Sequence, residues 1–106
     1  MIQVIRWNVH PDKIKEYEAW AKSAFPRLVA VPGLIELRAY GPIAGSAQVV
    51  TTYEFKDVTA WAAWSAHETV RQVTEERRTM TLNEVSELWG PSPIVPAPLH
   101  PEMYLP

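Results

Sequence analysis

Along residues 2–89 the sequence alternates between strand-like and helix-like patterning in the order βαββαβ, and few folds open to a short chain satisfy that order. Residues 2–9 (Ile-Gln-Val-Ile-Arg-Trp-Asn-Val) are rich in β-branched and aromatic side chains and predict a first strand. His10-Pro11-Asp12 then opens a helix: Pro11 suits the first helical position, and Asp12 puts an acid where the helix dipole favours one. Ile14, Tyr17, Ala21, Ala24, Phe25 and Leu28 recur at helical spacing and predict its buried face. Pro26 cannot donate a bond back to Lys22, so a kink or restart is expected there.

After the Pro32-Gly33 turn, residues 34–43 read as a second strand, residues 41–46 as a hairpin connection and residues 48–55 as a third strand. Val49, Thr51, Tyr53 and Phe55 share one side of that third strand. Asp57 is a good N-cap for a second helix carrying Trp61, Ala63, Trp64, Ala66, Val70 and Val73. Residues 81–89 predict a fourth strand, although Leu82, Val85 and Leu88 would also suit a helix. The expected fold is therefore α+β and ferredoxin-like: an antiparallel sheet with both helices on one face, since right-handed crossovers put them there.

A chain of 106 residues fits one such domain, over residues 1–90. Residues 91–106 form a Pro-rich C-terminal extension holding six of the ten prolines, which forbids helix and central strand there. Ile94, Val95, Leu99, Met103, Tyr104 and Leu105 among those prolines favour an extended arm lying on a surface over a disordered tail.

The strands are apolar on both sides, so the face away from the helices is not cleanly polar: Ile2 and Val4 back Ile5, Trp7 and Val9; Ile35, Leu37 and Ala39 back Leu34, Glu36, Arg38 and Tyr40; Val50 backs Val49; and Leu88 backs Val85 and Trp89. A half-solvated sheet alternates apolar and polar, so a second copy is expected to cover that face in a homodimer. A net charge of −2 with dispersed basic residues gives no footprint for nucleic acid. No uncharged apolar run approaches a membrane span, and Met1 leads directly into a strand-like segment with no basic leader. The absence of cysteine rules out thiolate metal sites and suits a reducing cytoplasm. Three histidines without ligand spacing imply no metal, and four isolated glycines make no phosphate loop.

Candidate site residues cluster on the second helix. His67 is predicted to project between Trp64 and Val70, as a general base in a pocket or as a structural histidine bonded to a carbonyl or carboxylate. Trp61 and Trp64, three apart, are either core or a platform for a ligand. Tyr53 and Arg71 are candidate partners for a substrate anion, against solvated or structural roles.

The strand leading to Pro11-Asp12-Lys13, the Val31-Pro32-Gly33-Leu34 turn, Tyr53-Glu54-Phe55-Lys56-Asp57 and Trp61-Ala-Ala-Trp64-Ser-Ala-His67 together resemble the dimeric α+β barrel superfamily. The sequence resembles in particular antibiotic-biosynthesis-monooxygenase-like proteins, and the outline is also similar to NIPSNAP-like and stress-responsive barrel proteins. The resemblance covers residues 2–89 and implies a pocket between sheet and helices. It further implies a cofactor-independent enzyme acting on an aromatic or apolar metabolite, or alternatively a non-catalytic binding or stress-associated dimer. The haem-degrading branch pairs a helix-two tryptophan with a later histidine and a strand-one asparagine. Trp64 meets the first requirement, but Val73-Thr74-Glu75 and Arg6 stand where the other two belong, so haem is not implied.

Overall fold

In the computed structural model, which describes residues 1–105, strand β1 (Ile2–Val9) lies between β3 (Val49–Glu54) and β4 (Thr81–Trp89), antiparallel to both. Strand β2 (Glu36–Tyr40) pairs antiparallel with the far side of β3, giving the order β2-β3-β1-β4. Helix α1 (Ile14–Val29) follows a single 3₁₀ turn at Pro11–Lys13, and helices α2 (Val58–Ala66) and α3 (Glu68–Arg78) connect β3 to β4. This is the expected ferredoxin-like α+β architecture, with β1 and β4 spanning the expected residues and β2 shorter than expected.

Cross-strand register sets the two faces. Gln3 opposite Tyr53 and Ile5 opposite Thr51 share the inner face with Trp7, while Ile2, Val4 and Arg6 oppose Glu54, Thr52 and Val50 on the outer face. The core lies between the inner face and the helices, where Trp7, Tyr53, Phe55 and Val73 are all but sealed from solvent. Gly33 adopts φ +106°, a conformation that side-chain-bearing residues rarely take, and so turns the chain from α1 toward β2.

Three local expectations are corrected. Helix α1 runs through Pro26 without a break. Pro26 lies on the exposed side and its carbonyl still accepts from the Ala30 N–H at 3.1 Å, so the cost is confined to the bond that Pro26 cannot donate. The second helix is not continuous, because His67 takes extended angles (φ −63°, ψ 138°) and separates α2 from α3. In the extension, the chain is not extended throughout but makes a 3₁₀ turn at Pro101–Tyr104.

The period-three apolar pattern of β4 has a structural cause. Arg6 opposes Val85 but Asn8 opposes Leu82, so Asn83 and Glu84 together face the single residue Trp7. Asn83 absorbs this bulge at φ 58°, a region that asparagine tolerates better than most residues. The bulge leaves Leu82 and Val85 on the same outer face and turns Glu84 inward.

Candidate functional site

A cavity of about 410 Å³ lies between the inner face of β1, β3 and β4 and the α2–α3 pair. Its wall includes Gln3, Tyr53, Trp61, Trp64, Arg71, Glu75, Arg77, Glu84 and Ser86. Helix α2 begins where Asp57 caps it, its carboxylate accepting from the Ala60 N–H at 2.8 Å, and so delivers Trp61 and Trp64 one turn in. Trp64 packs edge-on against Phe55 at 5.2 Å and tilted against Tyr53 at 5.5 Å, and its Nε1–H points to the Leu28 carbonyl at 3.4 Å. Trp64 is thus both core and cavity wall. Burial pushes the Tyr53 hydroxyl pKa above its ordinary value, against a smaller downward pull from the Thr51 hydrogen bond and the Arg77 charge.

Arg77 is the buried cation of the site, 3% exposed. Its guanidinium stacks over the Trp7 ring at 4.7 Å and donates to Glu84 at 2.6 Å. Arg78 grips the same carboxylate from the solvent side at 3.1 and 3.3 Å. Burial works to raise the Glu84 pKa, but the hydrogen bonds from Arg78 and Arg77 outweigh it and hold the carboxyl below its ordinary value. Glu84 is therefore an ionised anchor, not a proton acceptor near neutrality.

Three buried polar atoms have no hydrogen-bond partner among the described residues: Gln3 Oε1, Trp61 Nε1 and Arg77 Nε. All three belong to residues of this cavity wall. A buried polar atom left unpaired costs about 1–3 kcal/mol, so three in one wall set this part of the interior apart from the rest of the core. The set comprises two donors and one acceptor. Gln3 is held in place by its own amide, which donates to Ser86 Oγ at 3.2 Å.

Four of the five residues singled out from the sequence (Tyr53, Trp61, Trp64 and Arg71) line this cavity, Arg71 from its exposed rim. His67 does not. Its inward projection presumed an unbroken helix; instead the ring is exposed, and Nδ1 accepts from the Thr69 N–H at 3.1 Å as the N-cap of α3. It borders a separate recess with Arg27, Val31, Pro32 and Gln72. Gln3, Arg77 and Glu84 were missed. Gln3 was detectable as the one polar residue on the inner side of β1, but Arg77 sits within the charge run Glu75-Glu76-Arg77-Arg78, which reads as a solvated surface.

No match is found among curated proteins. Solved structures similar to this chain include a dabb family protein with a ferredoxin-like fold from Mesorhizobium loti, at 15% identity over 86% of this chain and 95% of that one, with a TM-score of 0.77. An antibiotic biosynthesis monooxygenase structure matches at 15% identity over 88% of this chain and 100% of its own, TM-score 0.71. SnoaB, a cofactor-independent oxygenase from Streptomyces nogalater, matches at 14% identity over 87% and 94%, TM-score 0.66. At these identities the likeness establishes the fold. The family model for antibiotic biosynthesis monooxygenases matches residues 1–76, which carry β1 through α2 and most of α3, and the chain belongs to that family.

Proposed function

We propose that the cavity between the sheet and α2–α3 is the active site of a cofactor-independent monooxygenase-type enzyme acting on an aromatic or apolar metabolite. The observation that carries this reading is the trio of unpaired polar atoms beside two indoles and a buried tyrosine. An aromatic ligand stacks or packs on Trp61 and Tyr53, presents an oxygen to the Trp61 and Arg77 donors, and offers a hydroxyl to Gln3 Oε1. Family membership and the likeness to a cofactor-independent oxygenase support the reaction class.

The chemistry suits an electron-rich phenol or anthrone. Loss of a proton gives an anion whose oxygen is stabilised by the Arg77 guanidinium and the Trp61 N–H. Dioxygen then adds at the activated methylene carbon. One oxygen atom becomes the new carbonyl, and the other leaves as water with the two hydrogens that the carbon carried. The substrate supplies all the electrons. Glu75, a cavity carboxylate outside the ion pairs found among the described residues, is the base that the arrangement offers. His67 has no part in the step, given its exposed capping position.

A second reading, a non-catalytic small-molecule-binding protein, is favoured by one feature: Glu84, the carboxylate beside the buried donors, is held by two arginines. One experiment separates the two. The protein, stripped with chelator and free of flavin, is mixed with dithranol and a panel of hydroxynaphthalenes while dissolved oxygen and melting temperature are recorded. Oxygen uptake that matches ketone formation and falls at least tenfold in Trp61→Phe supports the enzyme. A raised melting temperature with no oxygen uptake supports the binding module. No response to any member of the panel sinks both.

We further propose that the protein is a homodimer joined through the outer face of the sheet. Ile2, Tyr40, Val85 and Trp89 are 37–49% exposed there, interspersed with the Arg6–Glu87 and Glu36–Arg38 ion pairs. Light scattering across a dilution series tests it, and a monomer at every concentration would refute it. Among the described residues no helix is long and apolar enough to cross a membrane.

A further inference from the structure

We propose that the Pro-rich arm, residues 90–105, is a clasp that lies across a second copy of this chain, each subunit holding the other. The inference rests on the homodimer reading above. Its first support is exposure: Ile94, Leu99, Met103, Tyr104 and Leu105 stand 56–90% exposed, a run of large apolar side chains that the chain's own domain does not cover. The arm also projects from the body. The radius of gyration is 16.0 Å, against about 13 Å for a compact chain of this length.

The second support is area. A four-stranded sheet at about 4.8 Å between strands and about 3.3 Å per residue offers each subunit only some 400–500 Å² of outer face. These are flat areas, and side-chain relief makes the accessible surface that two such faces bury larger, toward the lower end of the ~1,600 Å² typical of a stable pair. An arm of this length in a polyproline-like conformation reaches about 50 Å and can cover roughly as much again on each partner. The arm adds to a sheet contact of modest size.

The third support is position and chemistry. The arm leaves the edge strand β4 at Trp89, which is paired with Ile2 on the outer face, so it starts at the border of the surface a second copy would cover. Its prolines hold it partly straight before docking, which lowers the entropy lost on binding. Glu102 is its only acidic or basic residue apart from His100, and the outer face carries the Arg6–Glu87 and Glu36–Arg38 ion pairs, with Glu54 beside Glu36. The neighbouring structures are spanned almost whole by 86–88% of this chain, which leaves a share of this chain about the size of the arm outside the likeness.

The test uses the full chain. A benzoylphenylalanine photocrosslinker is placed at Tyr104, isotopically light and heavy chains are mixed, and crosslinks are mapped by mass spectrometry alongside light scattering. Crosslinks joining light to heavy chains are expected. In parallel, the combined substitutions Leu99→Ser, Met103→Ser and Leu105→Ser should raise the dimer dissociation constant at least tenfold. A persistent dimer with crosslinks confined to single chains, or with an unchanged dissociation constant in the triple variant, overturns the clasp and leaves the dimer standing. A monomer at all concentrations overturns the dimer reading and the clasp with it.

Discussion

The two helical layers over the same sheet treat buried polar groups in opposite ways. Beneath α1, the polar atoms are paired: Trp7 Nε1 donates to the Tyr17 hydroxyl at 3.0 Å, and Trp20 Nε1 donates to Glu76 at 2.8 Å. Beneath α2 and α3, Gln3, Trp61 and Arg77 each leave one atom without a partner, around a cavity. The α1 side is one unbroken helix of 16 residues, and the other side is two helices of 9 and 11 residues hinged at His67. Related halves of one topology have thus become a filled half and a hollow half. Paired polar groups there serve packing, and on the proposed reading the unpaired ones serve a ligand.

The largest effect on this contrast should come from the residue that joins the two sides. Arg77 stacks on Trp7, anchors Glu84 and leaves its Nε without a partner among the described residues. Arg77→Met removes one partner of a buried ion pair and should cost about 2–4 kcal/mol, moderated because Arg78 still holds Glu84. Urea titration of both proteins is the check. A loss below 0.5 kcal/mol, a figure set by ordinary surface substitutions at about that size, would mean that Arg77 is not structurally anchored and belongs to the ligand alone.

A matched pair of variants sharpens the comparison. Tyr17→Phe strands the Trp7 N–H in the filled half and should cost about 1–3 kcal/mol. Gln3→Met removes an acceptor that was never satisfied, at the loss of one bond to Ser86, and should stay within about 0.5–1 kcal/mol of wild type. Ligand affinity should respond in the reverse order, falling in Gln3→Met and holding in Tyr17→Phe. Equal destabilisation by both would erase the distinction between the halves.

Acid should act on both halves through depressed carboxyls. Hydrogen bonds from Arg27 and Trp20 hold Glu76 below its ordinary value, and Arg78 and Arg77 do the same for Glu84 against the opposing pull of burial. A group whose folded pKa is depressed contributes stability that is complete above the unfolded value, about 4.3 for glutamate, and lost as pH falls through the folded value. Stability should therefore be flat above about pH 5 and decline below pH 4 or so. Glu84→Gln should shallow that acid limb without touching the neutral plateau's shape, measured by melting temperature against pH. An unaltered acid limb would show that Glu84 is not a contributor.

How far the sequence revealed this molecule depended on whether a feature was local. β1 and β4 were legible because β-branched and aromatic runs bounded by turn residues carry their own signal, and Asp57 announced the start of α2. The bulge at Asn83 was not legible, since it arises from register against β1, and it made a strand look partly helical. Trp61, Trp64 and Arg71 could be placed near the site because an intact helical period holds within α2 and within α3, and Tyr53 because strand alternation sets one side of β3. Arg77 escaped notice because burial of a charge in a charged run depends on Trp7 and Glu84, both distant or hidden behind that bulge. His67 was misplaced for the reason that histidine is a weak N-cap signal, so the helix break it makes leaves little trace in composition.

The smallest effect belongs to that hinge. His67 caps α3 through Nδ1, and α3 carries Arg71, Glu75 and Arg77 to the cavity. His67→Ala removes one cap hydrogen bond from an exposed position and should cost only about 0.5–1 kcal/mol, the low end for lost caps. His67→Asn supplies another capping side chain and should recover most of the loss. Ligand affinity in the cavity should stay within twofold of wild type in both variants, because the imidazole borders a different recess. The converse result, lost binding or turnover in His67→Ala with unchanged melting temperature and no rescue by asparagine, would restore the histidine to the site. It would also mean that α2 and α3 close during function into the continuous helix that their apolar spacing suggests, bringing the ring inward. Measuring melting temperature and ligand affinity on the same three proteins distinguishes a cap from a base.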